Sequence, residues 1–119
     1  MHLTNNELGK IGEDIATCFL QDLGYEILVR NWRSNRVELD IVARQDSILI
    51  FCEVKTRRTA SHGVPSDAIT ATKMQHIRTA ALYWLTKNQT RHQGIRFDAI
   101  SVIYCEGQSP TINHIKGIE

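Results

Sequence analysis

The chain has 119 residues, of which 42% are hydrophobic and 23% charged, with seven glycines and two prolines. That balance excludes a disordered or low-complexity chain and suits one ordinary core, so residues 1–119 are expected to form a single domain. The formal charge of +1 supplies no bulk attraction to nucleic acid, and any polyanion binding must come from local clusters of basic side chains.

Taken in chain order, Thr4-Asn5-Asn6-Glu7 matches a capping box, with Leu3 and Leu8 placed as a hydrophobic staple. Leu8, Ile11, Ile15, Cys18, Phe19 and Leu23 recur at steps of three and four, and Gly24 follows where a left-handed cap is expected. The pattern predicts a helix from Asn5 to Leu23. Tyr25 to Arg30 is short and β-prone, and Asn31 to Arg36 reads as a polar turn. Val37 to Val42 then alternates as a half-buried strand does, placing Glu38 and Asp40 on one face and Val37, Leu39 and Ile41 on the other. Arg44 to Ser47 supplies a turn, and Ile48 to Thr56 is almost continuously apolar, as in a central strand. Thr59 to Ser66, with Gly63 and Pro65, has loop chemistry. Met74, Ile77, Ala81, Trp84 and Leu85 predict a second helix from Thr72 to Lys87. Phe97 to Tyr104 reads as a buried strand and Thr111 to Ile115 as a short edge strand. The order α-β-β-β-α-β-β predicts an α/β fold, a mixed β-sheet flanked by helices, with the second helix in a crossover.

The longest apolar run, Ser47 to Cys52, is far short of the ~20 residues a membrane-crossing helix needs. The first residues lack a basic segment followed by an apolar one. Three cysteines, Cys18, Cys52 and Cys105, suit neither a disulfide framework nor a thiolate zinc site and are expected in the core. A cytoplasmic protein with no membrane partner is expected. The five histidines are dispersed, and neither a serine-nucleophile elbow nor a phosphate loop is present.

Charge inside strands that otherwise read as interior carries the functional signal, because a buried charge without a partner or a metal is costly. On the Ile48–Thr56 strand, Glu53 and Lys55 continue the face of Leu49 and Phe51, while Val54 points away with Ile50 and Cys52. Pairing across the Arg44–Ser47 turn brings Asp40 to Glu53, with Lys55 one pleat further on. Two neighbouring carboxylates repel and call for a cation; oxygen donors completed by water suit Mg²⁺ or Mn²⁺ better than Zn²⁺. The plainer alternative leaves Glu53 and Lys55 at an exposed strand end, with Asp40 paired to Lys55 or Arg57.

Glu13 follows Gly9 and Gly12, two helix glycines that point to a close approach by backbone or ligand; the alternative is a solvated glutamate beside a tight helix–sheet contact. Basic residues cluster as Lys55, Arg57 and Arg58, as Arg30, Arg33 and Arg36, and as Lys73 and Arg78. Such groups either grip phosphates or are scattered surface charge. Trp32 is placed either to stack on a base or to anchor its loop.

Together Gly9-x-x-Gly12-Glu13, Asn31, Glu38-Leu39-Asp40, Phe51 to Arg57, Lys73 and Arg96-Phe97-Asp98 resemble the YraN-type uncharacterised family, over nearly the whole chain. That family is similar to the restriction-endonuclease-like nucleases, the PD-(D/E)xK superfamily, which includes Holliday junction resolvases. The resemblance implies a restriction-endonuclease-like core with its D…(D/E)-x-K site on Asp40, Glu53 and Lys55, and with Glu13 as the helix glutamate. Val37 stands where related sequences often carry glycine; no ligand is lost by it.

The function these readings imply is Mg²⁺- or Mn²⁺-dependent hydrolysis of phosphodiester bonds, in branched or structured DNA. Asp40, Glu53, the Val54 carbonyl and Glu13 would hold the ion, Lys55 would act on the attacking water, and Arg57, Arg58 and Lys73 would hold the nucleic acid. A homodimer follows by analogy with relatives that cut symmetric junctions. The alternative is a noncatalytic nucleic-acid-binding module on the same fold, since fold alone does not establish activity. The helix start offers a local check on the sequence reading: Thr4→Ala should cost roughly 1 kcal/mol, and an unchanged denaturation midpoint would contradict the predicted cap.

Overall fold

A computed structural model of the chain describes residues 2–59 and 69–118. Its elements are α1 (Asn5–Asp22), β1 (Glu26–Ser34), β2 (Val37–Gln45), β3 (Ile48–Arg57), α2 (Ala71–Lys87), β4 (Gly94–Ile103) and β5 (Thr111–Ile115). The five strands form one sheet in sequence order. All neighbours are antiparallel except β3 and β4, which run parallel on either side of the α2 crossover. The predicted element order is therefore the observed one. Of the loop predicted from Thr59 to Ser66, all but Thr59 lies outside the described residues. Among the described residues no helix is long and apolar enough to cross a membrane.

The capping box is present in full, with the Glu7 amide donating to Thr4 Oγ1 and the Thr4 amide donating to Glu7 Oε1. At the other end Tyr25 N donates to Leu20 O and Gly24 N to Gln21 O, with Gly24 at φ 91°. That is a Schellman closure, which needs a residue tolerant of the left-handed region. The buried stripe of α1 is Leu8, Gly12, Ala16, Thr17 and Leu20. It corrects the predicted stripe, since Cys18 is exposed, as is Leu23. The cause is distance. A Cβ at Gly12 would sit 2.7 Å from Thr56 Cβ, so at Gly12 α1 lies too close to β3 for any side chain, and the stripe turns on that contact. Only Cys52 of the three cysteines is buried, which corrects the expectation for Cys18 and Cys105.

Two cores flank the sheet. Leu20, Ala16, Tyr25, Ile41, Ile50, Cys52, Ile100 and Val102 pack on the α1 side. Leu39, Val42, Leu49, Phe51, Phe97 and the α2 residues Met74, Ile77, Ala81 and Trp84 pack on the other. Trp32 packs against this second core, which decides in favour of its anchoring role. β1 runs on to Ser34, further than predicted, because Asn31 takes up φ 50° within the strand and only Asn35 and Arg36 turn the chain. With φ 47° and 68° at those two positions the hairpin has a type I′ turn, which glycine satisfies most cheaply at its second position. An arginine there carries a backbone cost of about 1 kcal/mol.

β4 carries a buried ionic cluster. Asp98, fully buried, accepts from Arg96 Nε and Nη2 at 2.8 Å and from Gly117 N at 3.1 Å, and lies 2.7 Å from His114 Nε2. Burial alone would push its carboxyl up, but the contacts with His114 and Arg96 and the Gly117 amide overcome it and hold the group at about 2. Arg96 also donates to the Tyr25 hydroxyl, so the cluster ties β5 and the residues after it to the end of α1.

The two α1 glycines therefore differ. Gly12→Ala should lose about 1–3 kcal/mol through overpacking against Thr56. Gly9, which has nothing within 4 Å of its virtual Cβ, should gain up to about 1 kcal/mol on replacement by Ala from helix propensity. Urea denaturation of both variants checks the contrast; equal effects would contradict the close contact.

Candidate metal and phosphate site

The sheet register from Gln45↔Ile48 to Ile41↔Cys52 places Asp40 opposite Glu53, but the ladder stops at Ile41. Here the alternation of β2 breaks: Leu39 lies in the α2-side core and Ile41 in the α1-side core, although they are two residues apart. This corrects the expectation that Val37, Leu39 and Ile41 share a face. The strand is wrung at Asp40, which frees the carboxylate from a regular pleat. Asp40 Oδ2 accepts the Val54 amide at 2.8 Å, taking the position a β2 carbonyl would occupy. Because a strand residue directs its N–H and C=O toward the same edge, the Val54 carbonyl faces this gap too.

Asp40 stands between two other carboxylates. Glu53 is hydrogen-bonded to it, and burial first, then the charge and hydrogen bond of Asp40, push the Glu53 carboxyl up to about 8, against the opposing pull of Lys73. Lys73 Nζ lies 3.4 Å from Glu53 Oε1. From the other side Glu13 is raised by burial and then by Asp40, with Arg30 opposing. A carboxyl raised by an adjacent carboxylate in this way is the signature of excess negative charge.

Besides a cavity lined by Glu13, Arg30, Arg33, Glu38 and Asp40, two cavities meet at this pair. One, of about 690 Å³, is lined by Glu13, Asp40, Val54, Lys55, Arg57 and Arg58, with Gly9 opening it at the helix. The other, of about 660 Å³, lies between the β1–β2 turn and α2 and is lined by Glu53, Lys73, His76, Arg33 and Arg36. The residues singled out in the sequence are therefore brought to one end of β3, but divided. Glu13, Asp40, Lys55, Arg57 and Arg58 border one cavity, Glu53 and Lys73 the next.

Among the described residues no three His, Cys, Asp or Glu side chains stand as a ready-made ion cage, because Glu13 and Glu53 approach Asp40 from its two sides. The donor chemistry nonetheless fits a hard divalent ion, being all oxygen, adjacent and over-charged. Arg30 is held by Asp14 at 2.6 Å, and Arg58 donates to Asn5 Oδ1 and to the Leu3 carbonyl, so both are engaged in fastening α1. His76 was not singled out by any motif; only the packing of α2 against β2 brings it near Glu53.

Fold and site together define an α/β protein with an acidic pair at the fork between two strands. The chain belongs to the uncharacterised protein family UPF0102, whose family model matches residues 12–102. It is 47% identical over 111 residues to a UPF0102 protein of Nocardia farcinica, covering 93% of this chain and 87% of that one. Similar relatives are a UPF0102 protein of Geobacter sulfurreducens, 46% identical with 93% and 87% covered, and one of Geotalea daltonii, 43% identical with 94% and 88% covered.

A pH dependence follows from the pair. With its folded-state value raised above that of the unfolded chain, Glu53 binds more protons folded than unfolded between about pH 4.5 and 8, so its contribution to stability falls as pH rises through that window. Glu53→Gln should melt close to the wild type near pH 5 and above it at pH 8 in a chelating buffer. A gap that does not grow with pH would contradict the raised Glu53 carboxyl.

Proposed function

We propose that the chain is a divalent-metal-dependent nuclease of the restriction-endonuclease-like class, acting on branched or structured DNA. The observation that carries this reading is Asp40, held by the Val54 amide at the β2–β3 fork beside Glu53, whose carboxyl it helps to raise, with Lys55 lining the same cavity as Asp40. Asp40, Glu53, the Val54 carbonyl and Glu13 would hold Mg²⁺ or Mn²⁺, which when bound supplies Lewis acidity and a template for the phosphoryl oxygens.

The chain's own residues account for the remaining work. The exposed Lys55 ammonium orients the attacking water and stabilises charge building on the phosphate. Lys73, Arg57 and Arg58 hold the polymer backbone, Arg58 from a guanidinium already fixed by α1. By analogy with junction-cutting relatives, a cytoplasmic homodimer would present two such sites.

A second reading, a noncatalytic nucleic-acid-binding module, is favoured by the Lys73–Glu53 ion pair, which partly neutralises the acidic pair without any metal. The two readings separate in one experiment. Branched and flapped DNA, single strands and structured RNA are incubated with wild type, Asp40→Asn and Lys55→Ala in Mg²⁺ and Mn²⁺. The nuclease reading predicts cleavage by the wild type and a loss of at least about a hundredfold in each variant, with melting temperatures preserved. Full cleavage by both variants would overturn it, and binding without turnover under either ion would establish the second reading.

A further inference from the structure

We propose that the groove between the β1–β2 turn and the first half of α2 is a second track for the nucleic-acid backbone, gripped by Arg33, Arg36, Lys73 and His76. It lies across the acidic pair from the cavity that holds Lys55. The inference rests on the reading that this site acts on nucleic acid, and to Lys73 it adds Arg33, Arg36 and His76, which that reading leaves unused.

Position is the first argument. The groove, about 660 Å³, is bordered by Glu53 and Lys73, and those two residues are themselves paired at 3.4 Å. A backbone lying in it therefore passes directly beside the acidic pair.

Charge availability is the second. Arg33 is 71% exposed and its ion pair is to Glu38, itself 56% exposed, at 3.4 Å, an arrangement that water screens and that a phosphate can replace. Arg36 is exposed and has no side-chain partner among the described residues, and His76 is exposed on the facing helix. Neither arginine is consumed in holding the fold, in contrast to Arg30, which is tied to Asp14.

The third argument is the turn itself. Arg36 occupies φ 68°, a conformation glycine adopts without penalty, so the sequence keeps a long cation where the backbone disfavours any side chain. Strain of this kind, held in place by its surroundings, is a marker of function. The surroundings do hold it: Asn35 Nδ2 donates to the Tyr83 hydroxyl and Lys87 Nζ to Ser34 Oγ, so the turn is fastened to α2 and the groove has fixed walls. Basic side chains along a cleft walled in this way suit a phosphodiester backbone, which presents one charge per nucleotide.

The test is fluorescence anisotropy of labelled branched DNA in Ca²⁺ buffer over a series of salt concentrations, using wild type, Arg36→Gly, Arg33→Ala with Arg36→Gly, and Arg91→Ala as a control remote from the groove. Arg36→Gly should melt at or above the wild-type temperature, bind about 3- to 10-fold more weakly and lower the slope of log K against log salt by about one. The double variant should lose about two from the slope, and Arg91→Ala should match the wild type. Wild-type affinity and slope in the double variant would overturn the groove while leaving the nuclease reading intact. A fall in melting temperature for Arg36→Gly would overturn the argument from the turn. Poly-glutamate bound as tightly as DNA, and weakened alike by Arg36→Gly, would make an acidic protein the occupant. Absence of salt-dependent binding by the wild type to any nucleic acid would overturn both the groove and the reading beneath it.

Discussion

A carboxylate that replaces a backbone acceptor is the constraint on which this structure turns. Asp40 takes the Val54 amide at the point where the β2–β3 ladder ends. An amide left without a partner in a central strand would cost a buried hydrogen bond, so the side chain cannot leave without harm to the sheet. That same bond fixes the carboxylate beside Glu53. Structural necessity and an energetically unfavourable pairing of two acids are thus joined in one side chain, and the stress is met by Lys73.

Around this point the two helices have different duties. α1 approaches the sheet through Gly12 against Thr56, which sets Glu13, the next residue, at a fixed distance from β2 and β3. α2 stands off on larger side chains, Met74, Ile77 and Trp84, and leaves room for a groove at its first turns. Close packing on one side and a wider gap on the other explain why Asp40 and Glu53 open into separate cavities rather than one bowl. The Asp98 cluster secures the far edge of the sheet and takes no part in either cavity.

Much of this was legible in the sequence. Hydrophobic periods and caps identify both helices and all five strands in order, and strand adjacency alone brings Asp40 to Glu53. What the sequence concealed has a physical cause in each case. Strict alternation cannot foresee a strand wrung at one residue, which is why Leu39 and Ile41 were assigned a common face. Counting large apolar residues favours Ile11, Cys18 and Leu23, whereas a tight helix–sheet contact selects Gly12, Ala16 and Leu20. The polar stretch Asn31 to Arg36 looks like a turn because Asn31 departs from extended backbone, though the strand resumes after it. The pairing of Lys73 with Glu53, and of Asp98 with His114, joins distant parts of the chain and needs tertiary placement to be seen.

The sheet order has a consequence for assembly. Because β1, β2 and β3 form an uninterrupted meander, the two acids meet through contacts between consecutive strands, with little loop entropy to overcome. β4 can join only after the whole crossover has closed, and Lys73 travels with that crossover. The charge conflict is consequently local, made within one hairpin, whereas its relieving ammonium is brought by a long-range contact.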